Sequence, residues 1–320
     1  MKTLRILCAI FVCSLLLCGC TANQEPISKT AIYFDTVISI KLYDSQDTDI
    51  LEQCFAYCDE FEQLISRTIE TSEISQINHS KGNPVTVSDT TIELLKKGIQ
   101  YSELTHGAFD ITIAPLSELW DFKNNPGEVP AEEYIQDCLS HVSYENILIE
   151  GNTVTLLDSD MAIDLGGIAK GYMADQLKDY LLSEGVESAL IDLGGNILAV
   201  GNKPDNSNFT IGIKKPFKDN EMISTESIND ISVVTSGCYE RYFEVDDVIY
   251  HHILNTETGY PCDNGLYGVT IFSDKSVDGD ALSTSCFALG LEEGTKLIES
   301  LEGIDALFVT NEYEIIDTRK

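Results

Sequence analysis

Asp280 and Thr284 stand four residues apart in "DALST", a spacing that sets a carboxylate and a hydroxyl on one face of a helix. Two hard oxygen donors of this kind suit a hard divalent cation. Asp280 taken alone reads rather as a helix N-cap. The chain has 5 histidines, and two of them are adjacent in "YHHILNTETGYP". An imidazole near its ordinary pKa can take a proton from a hydroxyl, which makes His252 a candidate acid–base group, with a structural strand histidine as the alternative. His251 points to the opposite face of the same strand and reads as structural. Lys170 follows a glycine pair, where it can neutralise phosphate charge or form a plain surface salt bridge.

The backbone that must position these groups carries a repeated pentapeptide. "IDLGG" occurs at Ile163–Gly167 and again at Ile191–Gly195. The first copy leads into a helical pattern and the second into a strand, so tandem duplication is a poor explanation. Glycine pairs at strand ends permit positive φ and close approach of backbone to a ligand. The first copy also places free N–H groups at a helix N-terminus, a seat for phosphate. Neither copy fits GxGxxG or the P-loop pattern.

Around these motifs, "TAIYFDTVISIKLYD" reads as an opening strand, Thr48–Ser66 as a helix with one apolar face, and Ser88–Leu104 as a second helix begun by Ser88 or Asp89 and stopped near Gly107. "NTVTLLDSDMAIDLGG" reads as a hairpin, Gly167–Glu184 as a helix stopped at Gly185, and "SALIDLGGNILAV" as two strands about a glycine turn. The stretch onward to Leu254 is mostly β. Asp280–Gly290 and Glu292–Leu301 look helical, and "DALFVT" with "YEIID" closes the chain as a hairpin. The expected class is α+β.

The chain has 320 residues, enough for a sizeable core at 43% hydrophobic content, and a net charge of −33. Such a surface repels nucleic-acid phosphates and anionic membranes, so no nucleic-acid partner is expected. Residues 1–20 read as a signal peptide: Lys2 and Arg5, then an apolar run from Ile6 to Leu17 that is too short to span a bilayer. It ends in "LCGC", which resembles a bacterial lipobox with Cys20 as the lipidated mature N-terminus, an ordinary secretory peptide cleaved near the same place being the alternative. Residues 21–30 read as a polar linker and 31–320 as a single domain. Of 10 cysteines none forms a CxxC pair, so neither a zinc nor a redox site is indicated, and Cys54 and Cys58 read as packing residues.

Seven segments in order resemble the ApbE family of FAD:protein FMN transferases. They are "FDTVISI", "SRTIETSEISQIN", "THGAFDITIAPL", "DLGGIAKGYMAD", "VVTSGCYERYF", "YHHILNTETGYP" and "DGDALSTSCFALG", and they run over essentially all of residues 31–320. The resemblance implies one ApbE-like, T-fold-related domain with mixed or antiparallel sheets and packed helices. It implies FAD as donor, Mg²⁺ on the pyrophosphate, AMP as leaving group, and FMN left on a Thr or Ser of an acceptor flavoprotein. It adds the carbonyl of Gly167 to Asp280 and Thr284 as metal ligands. It assigns flavin contacts to Phe34, Ala108, Phe109, Asp110, Asp164 and Ile253, with Lys170 at the phosphates. Phe34 stands where many members have Met of a Met-Gly-Thr segment, and Asp35 replaces the Gly. Asp192 and Asn196 are expected to brace the site from beneath.

The expected setting is extracytoplasmic, lipid-anchored to the cell membrane through Cys20, with a membrane electron-transfer subunit as acceptor. Two other activities share these motifs: an FAD pyrophosphatase, in which water replaces the acceptor hydroxyl, and a non-catalytic flavin-binding lipoprotein. A mere binder has no need of the Asp280–Thr284 pair or of His252.

Overall fold

The computed structural model describes residues 25–125 and 127–319. The signal peptide, Cys20 and the first part of the linker lie outside the described residues. Strands β1 (Ile27–Tyr33) and β2 (Thr36–Leu42) form a hairpin. Helix α1 (Thr48–Ile65) starts where the Asp47 side chain accepts the Asp49 N–H. Ser72 caps α2 (Glu73–Asn78), and after the short β3 (Val85–Thr86) Ser88 caps α3 (Asp89–Leu104). In each case a short polar side chain satisfies an N–H that the first helical turn leaves open. Next come α4 (Ala114–Trp120), α5 (Glu132–Leu139), β4 (Ile147–Glu150), β5 (Thr153–Leu156) and α6 (Ala169–Ser183). Six strands follow: β6 (Ala189–Leu193), β7 (Asn196–Val200), β8 (Phe209–Lys214), β9 (Met222–Ile228), β10 (Ser232–Gly237) and β11 (Tyr242–Val245). The chain closes with β12 (Val248–His251), β13 (Leu266–Ser273), α7 (Ser276–Glu299), β14 (Asp305–Thr310) and β15 (Ile315–Asp317).

The centre is an eight-stranded sheet in the order β1-β2-β6-β7-β10-β13-β14-β15, antiparallel at every junction. Its two faces are covered differently. Ile38, Ile191 and Ile271 join the main core beneath the helices, whereas Val233, Phe272 and Leu307 pack with Phe209, Ile211 and Ile213 of the β8–β9 hairpin. Alternation along β10 makes this possible: Val233 serves one layer, while Val234 and Ser236 meet α7 on the other. The α+β class is thus realised with purely antiparallel ladders. Among the described residues no helix is long and apolar enough to cross a membrane.

Four sequence expectations change. The polar linker does not reach residue 30, because β1 begins at Ile27 and pairs with β2 from that residue on. The opening strand is two strands, since Phe34 and Asp35 take φ of 54° and 57° and turn the chain back. The β5 partner is β4, so the first IDLGG is not a hairpin arm; it is held by an isolated parallel bridge at Ala162 and by the Asn78 side chain, which brackets Ile163 with bonds of 2.7 and 2.9 Å. Local alternation cannot reveal that kind of side-chain pairing. Helix α6 begins at Ala169, after the glycine pair, not at Gly167.

Candidate active site

Helices α6 and α7 cross at Gly171. A Cβ there would sit 2.3 Å from the Ser276 carbonyl oxygen and 2.7 Å from Asp280 Cβ, so only glycine permits the approach. At this contact each helix caps the other. Asp280 of α7 accepts the Gly171 N–H at 2.8 Å, and Asp175 of α6 accepts the Ser276 and Val277 N–H groups at 2.9 and 3.0 Å. Neither helix has a side-chain cap from its own N-cap residue, so the carboxylates replace one. Asp280 therefore lies inside α7 and does not cap its own helix. Burial pushes the Asp175 carboxyl above its ordinary value, against the pull of the two N–H groups.

The other Asp280 oxygen faces Lys170. Among the described residues Oδ1 makes no hydrogen bond, and Lys170 Nζ stands 3.8 Å away while donating to the Gly166 carbonyl at 3.2 Å. Thr284, one turn further along α7, borders Gly167: a Cβ at Gly167 would meet Thr284 Oγ1 at 3.6 Å and the Phe109 ring at 3.0 Å. Gly167, Lys170, Asp280 and Thr284 are thus brought together. Among the described residues no three His, Cys, Asp or Glu side chains gather as a metal cage. The oxygens present fit instead a hard cation sharing its coordination with a ligand's phosphate and water.

His252 follows the end of β12, where its N–H donates to the Arg241 carbonyl at 3.1 Å. Its Nδ1 is buried and, among the described residues, has no hydrogen-bond partner. Burial, reinforced by the charges of Arg241 and Lys170, pushes its pKa down to about 3. The expectation of an ordinary imidazole pKa is therefore corrected: the ring is desolvated and neutral, with a free nitrogen. His251 is structural as expected, bonded through Nε2 to the Cys262 carbonyl at 2.9 Å and set edge-on to Phe287.

The two IDLGG turns do different work. Gly167 faces Thr284 and Phe109, whereas Gly194, at φ 71°, faces Thr36: a Cβ there would lie 2.3 Å from its hydroxyl. The second copy thereby seats the Phe34–Asp35 turn, whose Phe34 N–H donates to Glu62 Oε1 at 2.6 Å. Asn196 accepts from Ser276 Oγ at 2.7 Å, so it braces the start of α7, while Asp192 accepts the Gly195 N–H.

The remaining expected flavin contacts divide. Phe109 packs on Gly167, and neighbouring Ala108 is part-exposed. Both Asp164 oxygens are engaged, Oδ1 accepting the Gly166 N–H at 2.8 Å and Oδ2 pairing with Arg67 Nε at 3.1 Å. Both Asp110 oxygens are spent on Thr112 and the Tyr144 N–H, and Ile253 is 4% exposed in the main core. Neither side chain presents a free polar group, and both remain expected flavin contacts.

Arg67 and Arg241 were not singled out from the sequence. Asp35 is held below the ordinary carboxylate range by a hydrogen bond from Lys123, with the charges of Arg241 and Arg67 adding to it. In a chain with 20 basic against 53 acidic residues, Arg67 and Lys123 pair with carboxylates here, Lys170 stands 3.8 Å from Asp280, and Arg241 acts on both Asp35 and His252. Basic residues inside the recognised segments were the available signal.

The sequence profile of the ApbE family matches residues 34–308. The chain belongs to the ApbE family. A relative from Klebsiella pneumoniae (strain 342), named FAD:protein FMN transferase, is 40% identical over 92% of both chains. One of the same name from Treponema pallidum (strain Nichols) is 31% identical over 93% of this chain and 88% of its own. Among solved structures, the ApbE protein of Thermotoga maritima MSB8 superposes with a TM-score of 0.85 at 34% identity, covering 92% of this chain and 97% of that one. The flavin transferase ApbE of Vibrio cholerae gives 0.81 at 29% identity, covering 92% and 96%.

Proposed function

We propose that this ApbE-family chain is an FAD:protein FMN transferase, moving FMN from FAD to a Thr or Ser hydroxyl of an acceptor flavoprotein. The observation that carries the reading is the 40% identity to a transferase of that name across 92% of both chains. The convergence of Gly167, Lys170, Asp280 and Thr284 supports it, because these groups are suited to a pyrophosphate. Phe34, Phe109 and Asp164, with Ala108 beside them, are the residues assigned to the flavin nucleotide.

In the reaction the acceptor oxygen attacks the FMN phosphorus, its O–P bond forms, and the P–O bond to AMP breaks. His252, neutral in the folded protein, is the group assigned to take the acceptor proton. Lys170 offsets charge on the departing AMP phosphate. The carboxylate of Asp280, the hydroxyl of Thr284 and the carbonyl of Gly167 would hold Mg²⁺, which when bound disperses the negative charge of the pyrophosphate. The chain works outside the cytoplasmic membrane, anchored by lipid on Cys20, on a membrane electron-transfer subunit.

The test incubates the protein with FAD, Mg²⁺ and a candidate acceptor. Acceptor-bound FMN supports the reading. Free FMN plus AMP would make the protein a pyrophosphatase, and unchanged FAD a binding protein.

A further inference from the structure

We infer that Ser236 is a positioning residue for the cation site, acting through a hydroxyl chain that turns the Thr284 lone pairs toward Gly167. The inference rests on the metal assignment proposed above. Ser236 Oγ lies 2.8 Å from Ser283 Oγ and 3.0 Å from Thr284 Oγ1, and Ser283 Oγ lies 3.0 Å from the Asp280 carbonyl oxygen. A carbonyl can only accept, so the single hydrogen of Ser283 goes to Asp280. Ser283 must then accept from Ser236, which uses the Ser236 hydrogen. Ser236 in turn accepts from Thr284.

Three hydroxyl hydrogens and three bonds leave one arrangement, and in it the Thr284 hydrogen points at β10. Both Thr284 lone pairs are then free for the side where Gly167 stands, which is what a cation ligand requires. The chain starts at the backbone of Asp280, the other ligand, and ends at Thr284. It locks their relative placement with a strand residue that neither the helix nor its i, i+4 spacing supplies. Ser283 is fully buried, so the Asp280 end of the chain is closed to water, while Ser236 is part-buried.

The experiment uses Mn²⁺ as the probe and reads free Mn²⁺ by electron paramagnetic resonance in the presence of FAD. The proteins are the wild type, Ser236→Ala, Ser236→Thr, Thr284→Ala, Asp280→Ala and the Ser236→Ala/Thr284→Ala double variant. Ser236→Ala should weaken Mn²⁺ binding by about 10-fold, the scale of losing a group that orients a metal ligand. Ser236→Thr, which keeps donor and acceptor, should restore it. The double variant should bind no more weakly than Thr284→Ala alone, a non-additivity that a general loss of packing does not produce. Thermal unfolding midpoints check that each variant is folded. If Thr284→Ala weakens binding and Ser236→Ala does not, the positioning role is wrong while the metal assignment stands. A double variant that loses the product of the two single factors also overturns it. If Asp280→Ala and Thr284→Ala both bind Mn²⁺ as the wild type does, the metal assignment falls and this inference with it.

Discussion

The Gly171 N–H donates to Asp280 Oδ2 at 2.8 Å across the crossing of α6 and α7. That bond fixes one oxygen of the carboxylate and leaves the other facing Lys170, so the candidate ligand is oriented before anything binds. The same crossing decides how tolerant the site is to change.

Gly171→Ala should destabilise the protein by about 1–3 kcal/mol, the usual scale of overpacking. In an isolated helix interior the same change stabilises by about 1 kcal/mol, so the sign is diagnostic. The steric reason is the Ser276 carbonyl, 2.3 Å from the new Cβ. Urea unfolding measures it, and a gain in stability would show that the helices stand further apart.

Asp280→Ala should harm FMN transfer more than Thr284→Ala, because it removes a charged ligand and a helix cap together, whereas water can replace a hydroxyl. FAD should still bind both variants, since Phe34, Phe109 and Asp164 lie on other elements. His252→Ala should keep metal-dependent FAD binding and slow transfer by on the order of 10²–10⁴-fold. Mg²⁺ titrations of transfer, with flavin fluorescence for binding, separate the three. Wild-type Mg²⁺ dependence in Asp280→Ala would return that residue to a purely structural role.

The neutral His252 makes stability depend on pH. The folded value is near 3 and the ordinary one 6.5, so between them the unfolded chain binds a proton that the folded protein does not. The contribution is complete above about 6.5 and is lost as pH falls toward 3, with a limiting slope of about 1.4 kcal/mol per pH unit. His252→Asn should flatten the pH 5–7 dependence of the urea midpoint relative to the wild type. Parallel curves would mean the ring is solvated.

Asp35→Gly should leave stability within about 1 kcal/mol of the wild type. Glycine relieves the φ of 57°, while the exposed Lys123 pair that is lost is worth about 0–1 kcal/mol. A loss beyond about 2 kcal/mol would show that the Asp35–Lys123 contact holds the turn in place more firmly than an exposed pair should.

A chain starting at Gln24 should fold and transfer FMN to a soluble acceptor, because β1 begins at Ile27 and is kept whole. Lipid on Cys20 would supply membrane affinity only. Loss of transfer in that shortened, folded protein would place the leading segment in the site.

Much of this was legible in the residues. Thr48–Ser66 announced α1 through an apolar stripe, Ser88 or Asp89 announced the start of α3, and the glycine turn of the second IDLGG announced β6 and β7, all signals carried by neighbours within a turn or a hairpin. The order of seven segments also pointed to the family, and Asp280 with Thr284 to one helix face. What the sequence could not contain was any relationship between distant segments. Asp175 and Asp280 capping each other's helices depends on Gly171 letting two backbones touch; the loss of the ordinary His252 pKa depends on the walls that desolvate it and on Arg241; and the hydrogen on Thr284 is aimed by a serine from another element. Local periodicity records which face of an element is buried, because burial repeats along the chain. Hydrogen-bond partners and desolvation do not repeat, and they exist only once the elements have packed.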